Sequence, residues 1–224
     1  MPDLETSLTE LAYAADRLHA DGFTVYTNVG DRWLGDASFE PLYAELDRRR
    51  AVLFVHPTTA ACCANLLRAV PDNVIEYAVD TTRAIANVIF SGVTVRYPNI
   101  RFIFSHGGGT VPFLIERFLG GTSAEIVPGV RTTGQAGRFV PQQPPRGALA
   151  ELRSLHYDTA QCSNPLAMRA LRTLVPVSQI LYGSDYFYRT NVETADALRH
   201  CGAYDARELE AVGGGNARRL LAHL

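Results

Sequence analysis

Three segments of this sequence put chemically capable side chains just beyond short apolar runs. His56 follows Val52-Leu53-Phe54-Val55 and precedes Pro57. His106 follows Phe102-Ile103-Phe104-Ser105 and precedes three glycines. Asp185 closes Leu181-Tyr182-Gly183-Ser184. Imidazole and carboxylate are the groups that bind divalent metals and carry protons near neutral pH. Each residue also has an ordinary structural alternative: a packed strand-end histidine, a glycine turn between strand and helix, an aspartate capping a helix. Taken jointly, two imidazoles and one carboxylate on three strand ends make a metal or acid/base site. Gly107, Gly108 and Gly109 let the backbone come close to a ligand. Asp158, after His156-Tyr157, is a further strand-end carboxylate able to orient another group. His19, His156, His200 and His223 lack a setting past a strand end and read as structural or exposed.

The elements that must position these groups follow from apolar periodicity and its punctuation. Leu4, Leu8, Leu11, Ala15 and Leu18 recur at helical spacing and stop at Asp21-Gly22. A strand runs over 23–28, and a helix from about Ser38 to Arg50 shares Phe39, Leu42, Tyr43 and Leu46 on one face. Strand 52–56 follows. Asp80-Thr81-Thr82 caps a helix reaching about Val95 before Pro98. Strand 101–105 leads to a helix near Phe113–Leu119. Residues 120–150, rich in Gly, Pro, Gln and Thr, read as a flexible loop or insertion. Strand 155–159, helix 165–174 and strand 180–184 follow, and the tail forms two or three short helices around a break at Gly213-Gly214-Gly215. Strands alternating with helices predict a parallel α/β fold, with chemistry at the carboxyl ends of the strands.

Composition narrows the function classes. The 224 residues, 47% hydrophobic and 20% charged, suit one globular domain, 1–224. Net charge is −2, and the longest basic run is Arg48-Arg49-Arg50, so neither nucleic acid nor a membrane is the expected partner. No signal peptide or membrane span is evident, and the four cysteines lack zinc-site spacing, so a cytoplasmic protein with reduced thiols is expected. All 21 basic residues are arginine. Without lysine there is no Schiff base, Walker-type phosphate loop or carboxylated-lysine metal bridge.

Five segments in order, Leu53–Pro57, Asp80–Ile85, Tyr97–Phe102, Ser105–Gly108 and Gly183–Asp185, resemble the second amidohydrolase group of the amidohydrolase superfamily. They are most similar to its aminocarboxymuconate-semialdehyde, 6-methylsalicylate and resorcylate decarboxylase branch. The closing Gly215–Leu220 matches that group's final helix. The resemblance implies a (β/α)8 TIM-type barrel holding one divalent metal, most often Zn2+ with Mn2+ as the alternative, and no organic cofactor. It implies His56 and Asp185 as metal ligands, and His106 and Asp185 as catalytic groups. The implied activity is non-oxidative decarboxylation of an aromatic or muconate-type carboxylic acid, with a homodimer as a possible assembly. Hydrolysis of an ester, lactone or amide on the same scaffold is the alternative. The group's opening strand carries His-x-His or Glu-x-His, and this sequence contains no such pair. The expectation is therefore an incomplete barrel, a C-terminal portion of about five strands lacking the first three β/α units. Such a chain would bind metal weakly, and an inactive remnant is the third reading.

Overall fold

A computed structural model describes residues 3–121, 124–129 and 143–221. Helix α1 (Leu4–Asp16) is capped by Asp3, whose carboxylate accepts from the Glu5 and Thr6 amides. Strand β1 (Phe23–Tyr26) follows, then a small antiparallel hairpin, β2 (Asn28–Val29) with β3 (Arg32–Trp33). Helix α2 (Glu40–Arg48) leads to β4 (Val52–His56). Helices α3 (Asp72–Phe90) and α4 (Val93–Arg96) cross over to β5 (Arg101–Phe104), and α5 (Val111–Phe118) and α6 (Ala148–Ser154) to β6 (His156–Asp158). Helix α7 (Pro165–Leu174) precedes β7 (Ile180–Leu181); α8 (Asn191–His200), α9 (Ala206–Glu210) and α10 (Asn216–Leu221) complete the order.

The five expected strands form one parallel sheet, ordered β1-β4-β5-β6-β7. Tyr26 pairs with His56, Val55 with Phe104, Phe104 with Tyr157, and Asp158 with Leu181, so the carboxyl ends lie side by side. Side chains alternate between the two faces. Leu53, Val55, Phe102, Phe104, Tyr157 and Ile180 are buried in the core shared with the helices. Helix α3 presents Ala84, Ile85, Val88 and Ile89 to that core at helical spacing. Each fully buried Ile or Val there contributes about 1.5–3 kcal/mol. The opposite face carries Phe54, His56, Ile103, Ser105, Asp158 and Leu181, which line a hollow of about 430 Å³. Among the described residues, β1 and β7 each have one strand neighbour, so the sheet is open at both edges.

Two local expectations change and one holds. Asp80-Thr81-Thr82 is no cap: α3 begins at Asp72 and carries all three residues buried in its interior. The glycine run at 213–215 interrupts the tail as expected: a π-turn joins α9 to α10 there, and Gly214, at φ 172° and ψ −22°, kinks the chain out of helical conformation between them. Asn216 secures that junction by donating to the Val177 and Ile180 carbonyls at 2.7 Å each. Much of the 120–150 stretch lies outside the described residues, and its last residues begin α6.

Candidate metal centre at the strand ends

His56, His106 and Asp185 converge, with one donor atom from each lying within 4.8 Å of the others. His56 Nε2 is 3.9 Å from Asp185 Oδ1, and His106 Nε2 is 3.8 Å from Asp185 Oδ2. The imidazole rings stand edge to face, centroids 5.4 Å apart. These gaps exceed a hydrogen bond but fall within about 4.2 Å, twice a metal–ligand bond to nitrogen or oxygen. The histidine tautomer supports the same use. His56 Nδ1 donates to the Pro57 carbonyl at 2.8 Å, so in the neutral ring the Nε2 lone pair faces Asp185. His106 Nε2 is buried without a hydrogen-bond partner. An orphaned imidazole nitrogen beside a carboxylate is a fit for a divalent cation.

Backbone strain holds two of the three groups. His106 and Asp185 have φ of 55° and 64°, a left-handed conformation that non-glycine residues seldom adopt. Asp158 secures the first: its Oδ1 accepts the His106 amide at 2.7 Å and the Ala160 amide at 3.0 Å. Burial pushes the Asp158 carboxyl up to about 7, against the lowering effect of those two amides. Gly183 gives Asp158 its room, since an added Cβ there would sit 2.9 Å from the carboxyl carbon. Gln161, itself at φ 51°, donates from Nε2 to Asp185 Oδ2. Burial also lowers the basicity of His106, partly offset by Asp185 and reinforced by His56.

The glycines after His106 make close approaches within the protein: a Cβ at Gly107 would lie 3.1 Å from Cys162 Sγ and one at Gly108 2.7 Å from the Tyr157 ring, while Gly109 also lines the cleft beside the site. A Cβ at Gly109 would lie 2.1 Å from the Ala78 carbonyl oxygen on α3. From the far side of α3, Asp80 ties down the loop behind His56. Fully buried, its carboxylate accepts from Thr27 Oγ1, from Asn28 Nδ2 at 2.7 Å and from Trp33 Nε1 at 2.5 Å. Asn28 Nδ2 also donates to the Thr58 carbonyl at 3.1 Å, two residues past His56. Tyr77 on the same helix meets the His56 ring edge-on at 6.3 Å. The supporting roles of Gln161 and Tyr77 carry no periodic or motif signal; Asp80 opens one of the five resemblance segments, but its hold on the loop behind His56 is visible only in the fold.

The three central groups form a wall between two hollows. One is the inner hollow of the sheet; the other is a cleft of about 620 Å³ lined by Thr59, Asp72, Val74, Tyr77, Gln161 and Tyr188, among others. Tyr186, which reaches the first, and Tyr188, which reaches the second, are 74% and 77% exposed. A larger hollow of about 830 Å³ near Val177 and Arg218 contains none of the three. Arg83, Arg101 and Arg189, possible carboxylate holders by type, line neither site hollow. Arg83 lies 3.7 Å from Asp80 and over the Trp33 ring, and Arg101 donates to the Leu220 carbonyl at 2.8 Å. His156 takes the structural side of its reading: it lies mostly buried in β6, and burial takes its pKa down to about 4.

A family model described as Amidohydrolase matches residues 1–222. The chain belongs to the amidohydrolase family. It is 34% identical over 186 residues to 6-methylsalicylic acid decarboxylase of Penicillium expansum, covering 82% of this chain and 54% of that relative. Among solved structures, 2,6-dihydroxybenzoate decarboxylase complexed with 2,6-dihydroxybenzoate superposes with a TM-score of 0.82 at 15% identity, over 99% of this chain and 68% of the other. Dihydroxybenzoic acid decarboxylase of Polaromonas sp. JS666, with bound manganese and 2-nitroresorcinol, gives 0.77 at 16% identity, over 99% and 67%. The chain spans about half the length of the curated relatives it matches. The α/β fold with five parallel strands is that of the barrel decarboxylases, and a divalent metal fits the amidohydrolase centre. Among the described residues, no helix is long and apolar enough to cross a membrane.

Proposed function

We propose that this amidohydrolase chain carries the metal and proton-transfer face of a non-oxidative decarboxylase acting on an aromatic or muconate-type carboxylic acid. The observation that carries the reading is the convergence of His56, His106 and Asp185 at the mouth of a hollow. His56 Nε2 and Asp185 would hold the divalent metal. Bound there, the metal supplies Lewis acidity toward the substrate's carboxylate or adjacent hydroxyl. When the bond to carbon dioxide breaks, its electron pair stays on the substrate carbon, which then needs a proton. His106 Nε2 and Asp185, whose Oδ2 lies 3.8 Å from it, are the two groups read as carrying that proton. Asp158 fixes the His106 backbone, and Gln161 orients Asp185. Tyr186 and Tyr188 offer exposed ring faces against which an aromatic acid can pack.

The finer parts of this reading are proposals as well. Zn2+ is the first metal to test and Mn2+ the second. The five strands are read as part of an eight-stranded barrel in a single domain, supported by their parallel order and inward-facing site. A cytoplasmic setting is supported by four free cysteines. A homodimer is the assembly to look for. The open sheet edges and the small set of metal-ligating side chains favour a second reading, a chain that folds but does not turn over.

The test supplies purified chain with Zn2+ or Mn2+, then 6-methylsalicylate or 2,6-dihydroxybenzoate, and follows carbon dioxide. Metal-dependent release that disappears in His106→Ala and Asp185→Asn supports decarboxylation. Release that both variants retain sinks it, and acid release from a lactone without carbon dioxide would assign hydrolysis. A cooperatively folding chain inert toward all of these supports the second reading.

A further inference from the structure

Outside the metal centre, the described residues bring Cys62 and Cys63 together as a pair of reactive side chains. The 3-10 turn Ala61–Cys63 follows Thr59 on the cleft rim and places Cys62 Sγ 2.9 Å from Cys63 Sγ. Cys62 is exposed, whereas Cys63 is buried behind it. Two sulfurs can bond one shared atom when they lie within about 4.6 Å, twice a sulfur–metal bond length. The pair is therefore arranged for a chelated centre and is reached from solvent through Cys62.

The surroundings select the kind of centre. A structural zinc ion needs four ligands. Among the described residues, the only group of three or more His, Cys, Asp or Glu side chains able to share an ion is His56, His106 and Asp185. The cysteine pair thus has no third or fourth protein ligand. A trivalent, thiophilic atom that brings its own third substituent needs only two.

We infer that Cys62 and Cys63 form a vicinal dithiol site for trivalent thiophilic electrophiles, with monosubstituted arsenicals as the matching ligand class. With an arylarsenic(III) oxide, both S–H bonds break, two As–S bonds form, and the oxygen leaves with both protons as water. Arsenic stays trivalent and nothing is oxidised or reduced. Condensation needs no preformed thiolate, so the hydrogen bond between Cys62 and Cys63, which raises the Cys62 pKa, does not oppose it. The site is independent of the decarboxylase reading.

The experiment uses the folded chain with phenylarsine oxide and intact-mass detection under native conditions. One adduct per chain is expected, with loss of one water, resisting excess monothiol and removed by a small dithiol. Cys62→Ser and Cys63→Ser should each weaken retention at least 100-fold, and Cys162→Ser/Cys201→Ser should leave it unchanged. An adduct that survives Cys62→Ser, or one that forms only after unfolding in denaturant, overturns the assignment.

Discussion

Replacing Asp80 by alanine should destabilise the fold by about 3–5 kcal/mol and loosen the loop that holds His56. The carboxylate is fully buried and accepts three side-chain donors. Thr27 and Asn28 are 0% and 5% exposed, so water cannot replace the lost acceptor; each orphaned donor costs about 1–3 kcal/mol. Trp33 is half-buried and can rehydrate its indole N–H, which limits its share to about 1 kcal/mol. The sum lies between about 3 and 7, and relief from burying a carboxylate trims the upper end. Against a typical stability of about 5–15 kcal/mol, this is a large fraction. Urea unfolding followed by fluorescence of the single tryptophan reads the difference, with Thr27→Val expected to cost about 1 kcal/mol as a control for one donor. Amide exchange at Thr58 should accelerate with the loss, because Asn28 and Thr27 both bond that residue. A change below about 1 kcal/mol for Asp80→Ala, with unchanged exchange at Thr58, would refute the claim that this carboxylate organises the loop.

Other consequences can be checked the same way. Gly109→Ala should cost about 3 kcal/mol or more by urea unfolding, since its Cβ meets the Ala78 carbonyl at 2.1 Å and φ is 66°. His156 has a folded pKa near 4 against an ordinary 6.5, so the unfolded chain binds more protons between those values. Its contribution is complete above pH 6.5 and is lost as pH falls to 4, by up to about 3 kcal/mol; His156→Leu should flatten that part of the stability profile. Gln161→Leu should weaken Mn2+ binding, measured by calorimetry, by about 10- to 100-fold through the freed Asp185 carboxylate.

The alternation of parallel strands with helices and the three strand-end side chains are legible in the sequence because both are local signals. A short apolar run ended by His-Pro, His-Gly or Ser-Asp marks a strand and what stands at its carboxyl end, wherever the chain later goes. Helix α3 was legible only in part. Asp80-Thr81-Thr82 has the composition of a cap, yet in the fold Asp80 takes tertiary donors, Thr81 and Thr82 return their hydroxyls to the Tyr77 and Ala78 carbonyls of the same helix, and α3 starts at Asp72. The same holds for Gly107–Gly109, whose small size serves contact with Cys162, Tyr157 and α3. Sequence alone thus determined which residue types stand at the strand ends and that a lysine-dependent chemistry is excluded. Only the tertiary structure decided that His56, His106 and Asp185 face one point, and that Asp158, Gln161 and Asp80 hold them there. Strand register and helix packing set those distances, and both arise from contacts between residues dozens of positions apart.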